Sequence, residues 1–394
     1  MKATSISSGL TWEIFCQVVD NFGDIGVCWR LARDLARNHA RGVRLWVDDW
    51  AAFARLCPAA EGADAARSFV HQGVEVRRWT TPFAAAEPAE VVIEAFACEI
   101  PEAHLQAMAA RAAKPAWINL EYLSAEDWVC DYHAMASPHP RLPLVKHFFF
   151  PGFDARTGGL LREPELLSQR DAFRSEPGGR QQWLAGHGVS ALPADALVLS
   201  LFAYEQPELP ALMQVWRDGV RPVVALVPEG RVLGDVARAL GRDRLVAGDQ
   251  IQHGRLQVVV LPFTDQPGYD RLLWACDLNF VRGEDSFVRA QWAGVPFVWQ
   301  IYPQHEQGGA HRDKLEAFMA RYTAGLRPEA AQALRGFWLA WNEERGLADA
   351  WPAFSAALPA LRAHAGRWCD ELSAQADLAT GLTKFCFDIL AAPR

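Results

Sequence analysis

The chain lacks an apolar run long enough to cross a bilayer, although 51% of its 394 residues are hydrophobic. A membrane-spanning helix needs about 20 consecutive apolar residues, so we expect no membrane segment and no membrane partner. Residues 1–8 contain no apolar signal core of the kind that directs secretion. These absences predict a cytoplasmic protein.

Positive charge is also in short supply. The chain has 39 lysines and arginines against 47 aspartates and glutamates, a formal net charge of -8. Proteins that wrap nucleic acid usually present a basic surface, so we expect no nucleic-acid partner. A partner protein with a local basic patch remains compatible with this charge.

Closely spaced cysteine pairs are missing as well. No two of the eight cysteines form a CxxC motif, and most lie in apolar runs. Buried thiols in a reducing compartment explain them better than disulfides or zinc ligands. The eight are Cys16, Cys28, Cys57, Cys98, Cys130, Cys276, Cys369 and Cys386.

The other familiar metal and cofactor patterns are absent too. His305 and His311 lack the i,i+4 spacing of a helical zinc motif. At most, Gln304 and His305 belong to a loop near a bound ligand. Asp48 and Asp49 end a predicted strand before a helix, where acidic caps are common. The glycines at 23–26 do not form a GxGxxG fingerprint, so a dinucleotide dehydrogenase is a poor fit. We expect no metal site.

What the sequence does contain is a long alternation of apolar strands with helical stretches. This alternation predicts an α/β fold with largely parallel sheets in two Rossmann-like halves. Helices are predicted at 27–38 and 102–112. The predicted strands are 12–19, 43–47, 73–78, 90–95 and 115–120 in the first half, and 196–202, 222–227, 256–261, 278–281 and 296–301 in the second.

Residues 157–180 are rich in Gly, Arg and Glu and have no strong periodicity, so a linker is predicted between the halves. Near the end of the chain Leu378, Leu382, Phe385 and Ile389 form one stripe of an amphipathic helix, expected to pack back on the first domain. The predicted divisions are an N-terminal domain, a linker region, a C-terminal domain and a helical segment, at 1–155, 156–190, 191–365 and 366–394.

Two aspartates and two glycines follow a short apolar run near the N-terminus. The run at 14–19 is rich in β-forming residues, and helical spacing of apolar residues resumes at 27–36. The stretch between them is predicted to be a strand-to-helix turn, and open α/β sheets bind ligands beside such turns. We expect Asp20 and Asp24 to reach a ligand there. A turn or helix-capping role is the alternative for both.

A second polar cluster, RGEDS at 282–286, follows a predicted strand and opens a helix. Free N–H groups and a partial positive charge at a helix N-terminus suit a phosphate. Arg282 adds a fixed cation for a diphosphate, and Ser286 adds a hydroxyl donor. The alternative is that Glu284, Asp285 and Ser286 only complement the helix dipole.

Two aromatic loops also follow predicted strands, at 202–205 and 261–266. Both open toward the same edge of the sheet, where an aromatic ring can stack on a nucleotide base with about 1–3 kcal/mol. Tyr204 and Phe263 are the expected stacking residues. Because 11% of the chain is aromatic, packing in the core is the alternative for either ring.

These motifs together resemble one family, the bacterial EarP family of protein-arginine rhamnosyltransferases. The resemblance is carried by VVDNFGDIGVCWRLA at 18–32, LFAYE at 201–205, LPF at 261–263 and RGEDSF at 282–287. It extends from about residue 12 to the C-terminus. The first and last motifs are long and unusual, which makes them specific.

The resemblance implies a GT-B fold, with two Rossmann-like domains facing a central cleft. It implies an inverting transfer of L-rhamnose from dTDP-β-L-rhamnose, on the C-terminal domain, to an arginine side chain of translation elongation factor P, on the N-terminal domain. The donor is a substrate, and no cofactor is expected beside it. The residues expected to bind this donor are Phe22, Gly23, Tyr204, Phe263, Gln266, Arg282, Glu284, Asp285 and Ser286.

The implied reaction needs a base, because a guanidinium stays protonated, with a pKa above about 12. A carboxylate can pair with the cation and accept its proton as the C–N bond forms. By resemblance Asp24 is the candidate base, while Asp20 orients the acceptor or supports the loop. Glu284 is implied as a third catalytic residue, or it binds sugar hydroxyls or positions Arg282.

Two other classes of function remain open. One is a GT-B enzyme that glycosylates a small molecule or a lipid, which would fail to modify elongation factor P. The other is a non-catalytic nucleotide-binding module, in which Asp24→Asn would leave function intact.

Overall fold

The computed structural model describes residues 9–19, 22–63, 68–83, 86–189, 191–302 and 310–392. The chain divides into two compact units. Unit 1 takes Met1–Glu163 together with Leu372–Arg394, and unit 2 takes Pro164–Glu371. The C-terminal residues therefore belong to the same unit as the N-terminal ones.

Strands and helices are numbered along the chain. The strands are β1 Leu10–Cys16, β2 Ala40–Val47, β3 Phe69–His71, β4 Val74–Arg78, β5 Val91–Ala95, β6 Ala116–Leu120, β7 Ala136–Pro138, β8 Val145–Phe149, β9 Leu197–Leu201, β10 Val223–Pro228, β11 Gln250–His253, β12 Leu256–Leu261, β13 Leu278–Arg282 and β14 Phe297–Gln300. The helices are α1 Gly23–Asn38, α2 Trp50–Leu56, α3 Glu102–Ala110, α4 Val129–Tyr132, α5 Leu166–Ser175, α6 Gly179–Gly186, α7 Leu209–Asp218, α8 Leu233–Ala239, α9 Gln266–Ala275, α10 Asp285–Ala293, α11 Ala310–Thr323, α12 Pro328–Asn342, α13 Leu347–Ser373 and α14 Leu378–Ala391, with a 3-10 turn at Pro58–Ala60.

The sheet of unit 1 is built outward from β1. Its strand order is β3-β4-β2-β1-β5-β6-β8-β7, and only β3 and β7, at the two ends of this order, run antiparallel to their neighbours. From β1 the chain first adds β2 and β4 on one side and then β5, β6 and β8 on the other. Where the direction of winding reverses, a crevice opens at the carboxyl ends of β1 and β5.

The sheet of unit 2 repeats this plan. Its order is β11-β12-β10-β9-β13-β14, parallel except for β11. The winding reverses between β9 and β13, so the loops after these two strands share the second crevice. The α/β class with two parallel, Rossmann-like sheets is as predicted.

The central strands form because most of their residues are apolar, with buried polar exceptions such as Glu94 of β5 and Asn119 of β6. Every residue of β5, β6, β9 and β13 is buried. Strands of parallel sheets are covered by helices on both faces, which calls for continuous rather than alternating hydrophobicity. These were the segments whose sequence predicted strands most directly.

The structure differs from the prediction in three places. The strand predicted at 12–19 ends at Cys16, because residues 17–19 turn toward α1. Helices α5 and α6 lie where a linker was predicted at 156–190, and their mostly exposed faces explain the weak periodicity. The strands β3, β7, β8 and β11 were missed. The first, second and fourth are short edge strands that depend on pairing rather than on composition, and β8 carries the polar residues Lys146 and His147 in its short run.

The predicted C-terminal amphipathic helix is confirmed as α14. Leu378, Leu382 and Cys386 are buried, and the helix packs on α1 and β6 of unit 1. Asp377 caps its first turn by accepting a hydrogen bond from the Thr380 N–H at 2.9 Å. In the part of the chain that the structure describes, no helix is both long and apolar enough to span a membrane.

A buried ion pair fixes α10, the helix that follows β13. Arg289 Nε and Nη2 donate to Asp270 Oδ1 and Oδ2 of α9, each at 2.8 Å. Both side chains are buried. The two parallel hydrogen bonds hold α9 against α10 in one register.

We expect Arg289→Ala to lower the free energy of unfolding of unit 2 by about 3–5 kcal/mol, because the carboxylate of Asp270 would be left buried without its cation. Chemical denaturation measures the change. Arg312→Ala is the control, since the Arg312–Glu316 pair is exposed and such pairs contribute about 0–1 kcal/mol. Equal, small effects of the two substitutions would contradict the prediction.

Candidate active site

The turn after β1 is closed by the carboxylate of Asp24. Asp24 is the second residue of α1 and is 2% exposed. Its Oδ2 accepts the Val19 N–H at 2.7 Å, and its Oδ1 accepts the Tyr122 hydroxyl at 3.1 Å. These two hydrogen bonds fix the position of the Asp24 carboxylate at the carboxyl end of the sheet.

Tyr122 reaches Asp24 from the loop after β6, and the turn after β5 supports its ring. The rings of Phe96 and Tyr122 stack with centres 4.4 Å apart. Phe96 and Ala97 have φ values of 57° and 56°, a left-handed conformation that costs roughly 1–2 kcal/mol for a residue with a Cβ. The Ala97 N–H donates to Asn119 Oδ1 at 3.1 Å, which helps to hold this turn.

Two thiols border the same crevice. The pKa of Cys16 is raised well above its ordinary value, first by its hydrogen bond with Cys28 and then by burial. Burial also raises the pKa of Cys98, and the charge of Glu94 adds to this effect. Both thiols stay protonated at neutral pH, so neither is a nucleophile or a base there. Asp24 is the acid–base candidate.

In unit 2, the guanidinium of Arg282 lies against two aromatic rings at the carboxyl ends of β13 and β9. Its Cζ is 4.6 Å from the ring centre of Phe202 and 4.6 Å from that of Tyr204. Cation–π contacts of this kind hold a guanidinium in place without neutralising it. Arg282 and Tyr204, both predicted from the sequence, are therefore brought together.

The backbone after β13 turns sharply into α10. The Arg282 N–H donates to Ser286 Oγ at 3.0 Å, and the Ser286 hydroxyl donates to the Arg282 carbonyl. Gly283 has a φ of 59°, which glycine adopts without a Cβ clash, and its carbonyl accepts the Trp299 indole N–H at 2.8 Å. Ser286 thus shapes the turn that presents Arg282.

Glu284 and Asp285 stand at the start of α10, Glu284 as the N-cap residue and Asp285 as the first helical residue. Both are partly exposed. Within the described first turn of α10, the Glu284 side chain makes no capping hydrogen bond, so helix capping does not account for it. Glu284 follows β13 and therefore lies at the carboxyl end of the sheet.

The loop after β12 carries the second predicted aromatic. Phe263 is partly exposed, and its N–H donates to Glu229 Oε2 at 3.1 Å. Gln266 begins α9 and is buried, while Asp265 caps this helix by accepting the Gly268 N–H at 2.8 Å. Phe263 and Gln266 therefore follow a strand on the same edge as Arg282.

Sequence reasoning missed the amides that hold the Tyr204 loop. Gln300, at the end of β14, accepts the Tyr204 N–H at 2.8 Å and donates to the Glu205 carbonyl at 3.2 Å. Gln206 is buried and donates through its side chain to the Trp341 carbonyl at 2.8 Å. Contacts so distant along the chain leave no local pattern. Tyr122 was missed for the same reason.

The remaining predicted residues are placed as follows. Phe22 is the N-cap residue of α1 and Gly23 its first helical residue, directly before Asp24. Asp20 lies outside the described residues, as do Gln304 and His305.

Of the acidic pair before α2, Asp49 has the cap role expected from the sequence, while Asp48 accepts the Val18 N–H at 3.0 Å. Asp49 is the N-cap residue and accepts the Ala52 N–H at 3.0 Å. Elsewhere among the described residues, Asp34, His39 and Asp377 place three possible metal-ligand atoms within 4.8 Å of one another. Asp34 lies ten residues after Asp24 in α1, about 15 Å along the helix. The group is therefore separate from Asp24.

Known proteins are similar to this chain over nearly its whole length. The profile of a family described as Elongation-Factor P (EF-P) rhamnosyltransferase EarP matches residues 12–387. A protein-arginine rhamnosyltransferase from Pseudomonas aeruginosa is 52% identical over 380 residues, covering 96% of this chain and 100% of that protein. One from Shewanella oneidensis is 42% identical over 392 residues, covering 96% and 98%.

A solved structure, described as the structural basis for EarP-mediated arginine glycosylation of translation elongation factor EF-P, is also similar. It shares 38% sequence identity with a TM-score of 0.69, and the match covers 96% of this chain and 99% of that one. Together with the two parallel sheets, this match confirms the predicted GT-B class. The chain belongs to the EarP family of elongation factor P rhamnosyltransferases.

Proposed function

We propose that this chain, a protein-arginine rhamnosyltransferase by family, transfers L-rhamnose from dTDP-β-L-rhamnose to an arginine of elongation factor P with inversion at the sugar carbon. Unit 1 binds the acceptor and unit 2 the donor. The observation that carries the proposal is the placement of Asp24, a buried carboxylate at the carboxyl end of β1 with both oxygens anchored.

Asp24 is proposed as the general base. The acceptor guanidinium enters as a cation and pairs with the carboxylate, which orients one nitrogen toward the sugar. As the bond from this nitrogen to the anomeric carbon forms, a guanidinium proton passes to Asp24. The anchors from Val19 and Tyr122 support this role, because a base must be held at hydrogen-bond distance from the proton that it accepts.

The leaving group is proposed to depart toward unit 2. The bond from the anomeric carbon to the diphosphate oxygen breaks, and its electron pair stays on dTDP. Arg282, fixed by two rings, and the N–H groups at the start of α10 are suited to stabilise this charge. A single displacement with attack opposite the leaving group inverts the configuration.

The other site residues have supporting roles in the proposal. Phe263, being partly exposed, is better placed to stack on thymine than Tyr204, which is 3% exposed and contacts Arg282. Tyr204 then acts mainly by holding the guanidinium. Phe22, Gly23, Gln266, Asp285 and Ser286 complete the proposed donor site, and Asp20 the acceptor site. Glu284 is proposed as the third catalytic residue, whose carboxylate binds sugar hydroxyls rather than phosphate.

Asp24→Asn is expected to lower the transfer rate at least ~100-fold, the usual contribution of a positioned general base. Binding of dTDP should be unchanged, because the proposed nucleotide contacts of Arg282 and Phe263 are intact. Intact-mass spectrometry of elongation factor P after incubation with dTDP-rhamnose measures the rate.

Asp49→Asn is the matched control for this substitution. Asp49 is also an aspartate at the start of a helix in unit 1, but its role is to cap α2, and Asn caps equally well. Its transfer rate should equal that of the wild type. A soluble Asp24→Asn variant that turns over normally would rule out the assignment of the base.

Calorimetry with dTDP should distinguish substitutions in the proposed donor site from a control substitution by their effect on nucleotide affinity. Arg282→Ala should weaken binding about 10-fold or more, since a charged hydrogen bond contributes about 1.5–3 kcal/mol. Phe263→Ala should weaken it through lost stacking, worth about 1–3 kcal/mol. Arg217→Ala is the control, because Arg217 is paired with the adjacent Asp218 at the end of α7, away from the carboxyl ends of the strands. Unchanged affinity in both test variants would refute the donor site.

Transfer is expected to persist in EDTA, because Arg282 and helix N–H groups are proposed to stabilise the diphosphate in place of Mg²⁺. The test includes His39→Gln, which removes one ligand from the Asp34–His39–Asp377 group. The metal-free mechanism would be refuted if EDTA abolished activity, Mg²⁺ restored it, and the His39→Gln variant behaved in the same way as the wild type. If the loss is confined to the wild type, the ion acts at that group instead.

A further inference from the structure

Three exposed apolar side chains lie close together in unit 1, between β6 and β7. Trp128 is 46%, Tyr132 49% and Met135 44% exposed. The rings of Trp128 and Tyr132 have centres 5.8 Å apart, and the Met135 N–H donates to the Tyr132 carbonyl at 3.2 Å. We refer to these three residues as the Trp128 surface. Exposed apolar groups gathered in this way mark interaction sites more often than scattered ones.

The same segment carries negative charge and no lysine or arginine of its own. Arg156 is close enough to Asp131 to interact with it electrostatically, but it forms an ion pair with Asp154 at 3.0 Å. Between Lys114 and Arg141 the sequence contains no lysine or arginine but four carboxylates, Glu121, Glu126, Asp127 and Asp131. Asp127 and Asp131, the immediate neighbours of Trp128 and Tyr132, are exposed. A partner that fits this surface has an apolar centre and basic residues around it, because complementary charge favours encounter and orientation. A second copy of this chain would instead bring like charges together.

The Trp128 surface lies a short distance along the chain from the proposed acceptor site. Tyr122, which donates to Asp24, lies six residues before Trp128, so at most about 20 Å of chain separates them. The stretch between is held in place. Ser124 pairs with Gly152 in an isolated bridge and donates to Glu126 at 2.7 Å. One small folded domain can therefore contact Trp128 and present a side chain to Asp24 at the same time.

We propose that the Trp128 surface, with Asp127 and Asp131, is the docking surface for the folded acceptor protein and receives the basic face around the arginine that is modified. The inference rests on the proposed function, since it assumes a protein acceptor whose arginine reaches Asp24. Docking at this surface supplies binding energy remote from the reacting atoms and raises the local concentration of the arginine.

The test is the Michaelis constant for elongation factor P, measured by intact mass at saturating dTDP-rhamnose. Trp128→Ala/Tyr132→Ala should raise the KM about 10-fold or more, the scale of interface aromatics that dominate binding. The kcat at saturating acceptor and the affinity for dTDP should stay at wild-type values. Val70→Ala is the control, because Val70 is an apolar residue of unit 1 that is 67% exposed outside this segment.

A second variant tests the charge without disturbing the packing of Trp128 on Phe150, whose ring centres are 5.5 Å apart. Asp127→Lys/Asp131→Lys should raise the KM about 10-fold or more at low ionic strength, and less as added salt screens the charges. This variant keeps the test decisive even if the aromatic double variant is insoluble.

The outcomes separate the two proposals. If the wild type modifies elongation factor P but the charge-reversal variant has an unchanged KM, the docking surface is overturned and the proposed function stands. If the aromatic variant changes the oligomeric state in light scattering and leaves the KM unchanged, the Trp128 surface is an interface with a second copy of this chain. The inference is then also wrong. If the wild type does not modify elongation factor P, both proposals fail.

Discussion

The reversal of winding at the first strand of each sheet is the constraint on which the site depends. Right-handed crossovers add successive parallel strands on one side of the first strand. The chain then crosses over and adds the remaining strands on the opposite side of that first strand. The two loops on either side of that point then diverge, and their backbone groups remain available to a ligand. Unit 1 uses this crevice for Asp24, and unit 2 uses the equivalent one for Arg282.

Asp24 has a structural role that is compatible with the chemical role proposed for it. Its carboxylate closes the turn after β1 through the Val19 N–H, and it is reached by Tyr122 from the loop after β6. The left-handed turn at Phe96, a strained conformation, supports the stacked ring of Tyr122. Strain of this kind persists only where the surroundings enforce it, and it often accompanies sites that need a fixed geometry.

The crevice of unit 2 contains a cation that aromatic rings help to hold in place. Aromatic rings contact the guanidinium of Arg282, and Ser286 and Gly283 shape the backbone that carries it. Behind this turn, the buried Arg289–Asp270 pair keeps α10 on α9. A guanidinium held at the carboxyl end of the sheet suits the role proposed for Arg282, stabilising an anionic leaving group. The carboxylates of unit 1 near Asp24 would complement a cationic substrate, in line with the acceptor role proposed for that unit.

The sequence by itself determined the parallel α/β class, the central strands and the positions of Asp24, Arg282 and Phe263. It could do so because buried parallel strands are continuous apolar runs and because site residues follow their carboxyl ends. Only the tertiary structure decided that Tyr122 donates to Asp24, that Gln300 holds the Tyr204 loop and that α5 and α6 belong to unit 2. These features depend on contacts between residues that are distant along the chain, and local composition carries no record of them.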